Sequence, residues 1–111
     1  TEQTYHAVNS NVLKELGVEG YLINIARGPV VDERALVEAL ENKVIQGAGL
    51  DVFEEEPKIT PYLMKSDRCV LTPHIASATH KTRSKMLEMC TNALKTALID
   101  KKPDKVANRV V

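Results

Sequence analysis

The sequence predicts an α/β domain built on a parallel sheet, and three observations carry that expectation. Short apolar runs of strand length alternate along the chain with segments of helical period, the pattern of βαβ units joined by right-handed crossovers. The first two runs are nearly continuous in apolar or small residues, as expected of strands covered on both faces. Gly, Pro, Asn and Asp stand at the breaks between segments. With 111 residues the chain has the size of one ordinary domain, long enough to hold a core without disulfides or metals.

The elements follow in order. Asn9-Ser10-Asn11 caps a short helix carrying Val12, Leu13 and Leu16, and Gly17 stops it. Tyr21-Leu22-Ile23-Asn24-Ile25 reads as the first strand, broken by Ala26-Arg27-Gly28-Pro29. Asp32 is a natural N-cap for a helix that runs to about Asn42, with Ala35, Leu36, Ala39 and Leu40 on one face. Gly47-Ala48-Gly49-Leu50-Asp51-Val52 reads as the second strand, its small residues suited to close approach by another backbone or a ligand. An acidic loop, Glu54-Glu55-Glu56-Pro57, precedes one helical turn at 61–64. Cys69-Val70-Leu71 forms a third strand closed by Thr72-Pro73, and a long helix is expected over about 79–100. Met86, Met89, Cys90, Ala93, Leu94 and Ala97 give that helix an apolar face, read as core.

Composition narrows the function. Fifteen Lys and Arg balance fifteen Asp and Glu, and aromatics are 4% of the chain with no Trp. Neither nucleic acid nor a membrane surface is an expected partner, since both call for a basic excess. No apolar run approaches the length of a membrane helix. The start resembles no signal peptide and lacks an initiator Met, so the chain is expected to begin inside a longer protein. Cys69 and Cys90 fit neither a CxxC motif nor a disulfide framework; they are expected to be buried, reduced thiols of a cytoplasmic protein.

In an open α/β sheet, ligands bind beyond the carboxyl ends of the strands. Each of the three strands ends on an ionisable residue: Arg27, Asp51 and His74. Glu56 can return to the same edge. A guanidinium, a carboxylate and an imidazole in one crevice suit acid–base chemistry on an anionic substrate. Each has a plainer reading. Arg27 could be a surface charge, Asp51 a loop cap, residues 54–56 a solvated turn and His74 a structural histidine. No spacing here resembles a metal cage. His6 and His80 read as surface or packing residues.

The runs Leu22-Ile23-Asn24-Ile25-Ala26-Arg27-Gly28, Val31-Asp32-Glu33, residues 47–57 from Gly47-Ala48-Gly49-Leu50-Asp51-Val52 to Glu56-Pro57, and Thr72-Pro73-His74-Ile75-Ala76-Ser77 together resemble the D-isomer-specific 2-hydroxyacid dehydrogenase family. The resemblance covers nearly the whole chain, and residues 73–83 are most similar to its glyoxylate/hydroxypyruvate reductase branch. It implies part of a Rossmann-type fold and an oxidoreductase passing hydride between NAD or NADP and a small 2-oxo or 2-hydroxy acid. Residues 1–78 would then form the later half of a dinucleotide-binding domain, and 79–111 a helix and tail crossing back towards a substrate domain. It implies Arg27 as the grip on the substrate carboxylate, His74 as general acid/base and Glu56 as its carboxylate partner. It places Thr4, Ala26, Arg27, Asp51, His74 and Ala76 beside the cofactor.

The family's glycine-rich G-x-G-x-x-G turn is not in this sequence, whose five glycines stand at 17, 20, 28, 47 and 49. Most of the substrate domain is also missing. The isolated chain is therefore expected to be inactive and to expose apolar surface, and the intact protein to be a homodimer. An alternative within the same superfamily is a dinucleotide-sensing, corepressor-like protein-binding module.

Overall fold

The computed structural model describes residues 2–106, which fall into two compact units divided between Ala76 and Ser77. The first unit contains a three-stranded sheet. Helix α1 (Ser10–Leu16) starts where the Asn9 side-chain oxygen accepts the Asn11 and Val12 N–H groups at 3.0 and 3.3 Å. It ends at Gly17, whose φ of +80° suits a residue without a Cβ. Strand β1 (Tyr21–Asn24) follows. Helix α2 (Glu33–Glu41) is capped by Asp32, which accepts the Ala35 N–H at 3.0 Å. Strand β2 (Gly47–Leu50), helix α3 (Pro61–Lys65) and strand β3 (Cys69–Leu71) complete the unit.

The strands lie in the order β1-β2-β3, all parallel, with Ile23 opposite Gly49 and Gly49 opposite Val70. The small residues of β2 do accommodate close neighbours. A Cβ at Gly49 would lie 2.9 Å from the Ile23 Cδ1, and one at Gly47 would lie 2.8 Å from the Arg68 carbonyl oxygen. Leu13, Leu36, Leu40, Ile45 and Leu63 are fully buried, and Ala48, Leu50 and Phe53 join them beneath the helices. Each such leucine contributes about 1.5–3 kcal/mol by leaving water.

The expectation that β1 is covered on both faces is corrected. Tyr21 is 63% exposed, Ile23 65% and Val70 71%. The reason is handedness. Right-handed crossovers that step in one direction across a parallel sheet put every connecting helix on the same side. Residues on the other side of the pleat, Tyr21 and Ile23 in β1 and Val70 in β3, stay bare. Apolar surface is thus exposed, as expected.

In the second unit, helix α4 (His80–Leu94) is capped by Thr79 and continues as a wider π turn over Lys95–Ile99, matching the expected span. Its apolar stripe is not core. Met86 and Met89 are 50% and 46% exposed, and Cys90 is exposed rather than buried. Among the described residues of this unit, α4 and its π turn have one further element to pack on, the short turn Pro103–Lys105, and that cannot enclose a helix face. Cys69 is half-buried, which pushes its thiol pKa up. No described helix is long and apolar enough to cross a membrane.

Candidate active site

Because the three strands are parallel, their carboxyl ends share one rim of the sheet. Beyond β1, the buried Asn24 shapes the turn that presents Arg27. Its side-chain oxygen accepts the Ala26 N–H at 3.1 Å, and its amide donates to the Arg27 carbonyl at 3.0 Å. Gly28 then passes so close to the loop beyond β2 that an added Cβ would sit 1.8 Å from the Phe53 carbonyl oxygen. Only hydrogen fits there, so the turn carrying Arg27 rests directly on the backbone leading to Glu56.

Beyond β2, Asp51 is 3% exposed and its carboxylate is fully engaged. Oδ1 accepts the Thr72 hydroxyl and the Ile75 N–H, and Oδ2 accepts the Ala76 N–H at 2.9 Å. These donors, the Thr72 hydroxyl first, hold the Asp51 carboxyl below its ordinary pKa despite burial. The loop-cap reading of Asp51 is therefore what its contacts describe. Residues 54–56, by contrast, are more than a solvated turn. Glu56 Oε1 accepts the Phe53 N–H at 3.0 Å, and Oε2 lies 2.9 Å from His74 Nδ1.

That last pair is the chemical centre of the rim. Glu56 is held below the ordinary carboxylate range, first by the hydrogen bond from His74 and then by the Phe53 N–H. A carboxylate at Nδ1 requires the proton on Nδ1, which leaves Nε2 to accept a proton or, once protonated, to give one up. The His74 side chain is half-exposed. A cavity of about 180 Å³ opens beside the pair, lined by Phe53, Glu56, Pro57, Ile59, Pro73 and His74. The larger cleft, about 520 Å³, lies between α2 and residues 58–61 and includes none of the candidate residues.

The structure thus brings Glu56 into contact with His74, and Asp51 into contact with the Ala76 backbone. Arg27 stands exposed at the same rim, donating to the Ala26 carbonyl at 2.7 Å and forming no ion pair among the described residues. Thr4 ends a short turn, Glu2–Thr4, and its carbonyl accepts the Ala7 N–H. The segment after it is tied to the Arg27 turn by His6 N–H to the Pro29 carbonyl and Val8 N–H to the Val30 carbonyl. Ala26 and Ala76 are exposed, methyl-sized positions. The glycine-rich phosphate-binding turn has no counterpart in this sequence. Among the described residues, no group of three His, Cys, Asp or Glu is placed to hold a metal.

Sequence reasoning missed three contributors. Asn24 is a polar residue closing an apolar strand, a signal of a turn-shaping side chain. Thr72 by itself signals only the end of a strand. His6 reads from sequence as a surface or packing residue, yet its Nε2 lies 2.6 Å from Glu54 Oε1 and its ring stacks on Tyr5 at 3.9 Å.

Comparison with known proteins fixes the lineage. The profile of the D-isomer specific 2-hydroxyacid dehydrogenase, NAD binding domain, matches residues 1–76. The chain is 46% identical over 112 residues to a glyoxylate reductase of Thermofilum pendens, and 48% identical over 111 residues to one of Pyrococcus horikoshii. Both alignments cover all of this chain and 33% of the relative. Among solved structures, the NADPH-dependent glyoxylate/hydroxypyruvate reductase of Sinorhizobium meliloti, in complex with NADP and malonate, superposes with a TM-score of 0.81. That match has 41% identity and covers 100% of this chain and 37% of that one. The chain spans about a third of the length of the curated relatives it matches. A parallel sheet with Arg27, Glu56 and His74 on one rim, matched by that profile over most of its length, belongs to the D-isomer-specific 2-hydroxyacid dehydrogenase family, in its NAD-binding domain.

Proposed function

We propose that this chain carries the proton-transfer side of the active site of a 2-hydroxyacid dehydrogenase acting on a small 2-oxo acid such as glyoxylate or hydroxypyruvate. The observation that supports it is the Glu56–His74 pair, which fixes one imidazole nitrogen and leaves the other open. A bound NAD or NADP would supply the hydride. Arg27 grips the substrate carboxylate with two parallel N–H donors and polarises the adjacent carbonyl. His74 Nε2–H gives its proton to the carbonyl oxygen, and Glu56 steadies the imidazolium before that transfer. In the oxidative direction His74 Nε2 takes the same proton back. Asp51, Ala26, Ala76 and Thr4 would border the nicotinamide end. Choice between NAD and NADP belongs to a segment about 20 residues past a glycine-rich turn, which this sequence does not contain.

On this reading the chain by itself is inactive, since the groups that orient the dinucleotide are absent from it. The two free thiols, Cys69 and Cys90, fit a reducing, cytoplasmic setting. The test joins this chain to the preceding two thirds of the P. horikoshii glyoxylate reductase and follows oxidation of NADH and NADPH with glyoxylate and hydroxypyruvate. Turnover that collapses in His74→Gln is the expected result, and full turnover in that variant overturns the assignment. Dinucleotide binding without turnover by the unsubstituted chimera would favour the protein-binding alternative. Sedimentation of the same chimera checks the dimer.

A further inference from the structure

We infer that Thr72 is a positioning residue for His74, its hydroxyl fixing the Asp51 carboxylate so that this carboxylate clamps the backbone that presents the imidazole to Glu56. The weight of this inference for catalysis rests on the proposed role of His74, while its geometry stands independently. His74 adopts φ of +54°, a left-handed conformation that a residue with a Cβ holds only when its surroundings impose it. Pro73 before it has no N–H to contribute. The His74 N–H turns back to the Thr72 carbonyl at 3.1 Å, making a tight turn around Pro73.

Asp51 grips that turn from both sides. Before His74 it takes the Thr72 hydroxyl, and after it the N–H groups of Ile75 at 2.8 Å and Ala76 at 2.9 Å. Thr72 is also anchored from the sheet side, its N–H donating to the Leu50 carbonyl at 2.9 Å. Oδ1 therefore carries two donors, one of which is a side chain. The Asp51 side chain is buried, and in an isosteric valine a methyl group takes the place of the Thr72 hydroxyl, so Oδ1 loses a donor and water has no room to replace it. Without it the carboxylate can rotate about its own bond, and the two N–H contacts that hold residues 75 and 76 loosen with it. The position demands a hydroxyl donor: serine satisfies it, and valine, of the same shape, does not.

The test uses the chain itself, comparing Thr72→Val with Thr72→Ser by NMR. Thr72 is exposed, so neither change opens a cavity, and Thr72→Ala serves if the valine variant fails to fold. In Thr72→Val, amide exchange at Ile75 and Ala76 is expected to rise roughly fivefold, the equilibrium weight of one ordinary hydrogen bond. The Glu56 carboxyl, whose low pKa depends first on His74, is expected to titrate closer to its ordinary range. Thr72→Ser restores both. An unchanged Glu56 titration and an unchanged His74 Nδ1–H signal, in a variant whose Asp51 titration has moved, overturn the inference. In the chimera, the valine variant is expected to lower kcat with little change in KM. A chimera inactive from the start would count against the proposed function and leave the NMR result to decide the positioning role.

Discussion

Among the described residues, His6 and His74 each meet a glutamate, and the differences between the two contacts separate a strut from the proposed reactive group. His6 and His74 both have positive φ, 49° and 54°, and both meet a glutamate of the same loop, Glu54 and Glu56. His6 is used on all sides. Nε2 lies 2.6 Å from Glu54, Nδ1 lies 3.8 Å from Asp32, and the ring stacks on Tyr5. Glu54 also accepts the Glu33 N–H while Glu33 accepts the Glu54 N–H, at 3.1 and 3.0 Å, which staples the loop to the start of α2. Among the described residues, His74 has one nitrogen committed and no partner at the other, and its side chain is 52% exposed against 29% for His6. Equal chemistry with unequal commitment makes a fastener of His6 and, on the proposed function, a proton carrier of His74.

The widest separation between the pairs is expected in turnover. In the chimera, His74→Gln should lower kcat by about 10²–10⁴-fold, the usual worth of a positioned acid/base, whereas His6→Gln should leave kcat within severalfold. Stability should show the reverse. Glu54→Gln weakens charge-assisted contacts to His6 and Glu33 and is expected to cost the chain about 1–3 kcal/mol in urea unfolding. Equal losses at both histidines in both assays would erase the distinction. Next comes acid. Asp51 and Glu56 have depressed folded pKa values, so their contribution to stability is complete above the ordinary carboxylate range of about 3.9–4.3 and is lost as pH falls through the depressed values. Urea midpoints measured downward from pH 5 should fall with a shallower slope in Glu56→Gln. The smallest effect belongs to an ion pair in full solvent. Arg34→Ala removes the Arg34–Glu38 contact of 3.3 Å and is expected to change stability by no more than about 0.5 kcal/mol.

What the residues disclosed, and what they withheld, follows from the range over which each signal acts. Caps and stops are local. Asn9, Gly17, Asp32 and Thr72-Pro73 marked element ends within a residue or two because each acts on backbone groups a few positions away. The carboxyl-end rule then placed Arg27, Asp51 and His74 on one rim, since parallel strands leave no other arrangement. The pairing of Glu56 with His74, eighteen positions apart, came from family resemblance; spacing allowed Glu56 only a return to that edge. Burial misled where it depends on what lies across space. The apolar residues of β1 and the Met86–Met89 stripe of α4 have the composition of core, yet composition does not say whether a partner is present to cover them. The contact of His6 is illegible for the same reason, since its partner sits 48 positions away in a loop with no helical or strand period.

The contact at Gly28 has a consequence for how damage would present itself. A single methyl at that position would collide with the Phe53 carbonyl and push apart the two turns that carry Arg27 and Glu56. Such a lesion would touch neither Arg27 nor His74, yet it would disturb together the roles proposed for them. In a screen it would look like the loss of a reactive group, although every reactive group was still in the sequence.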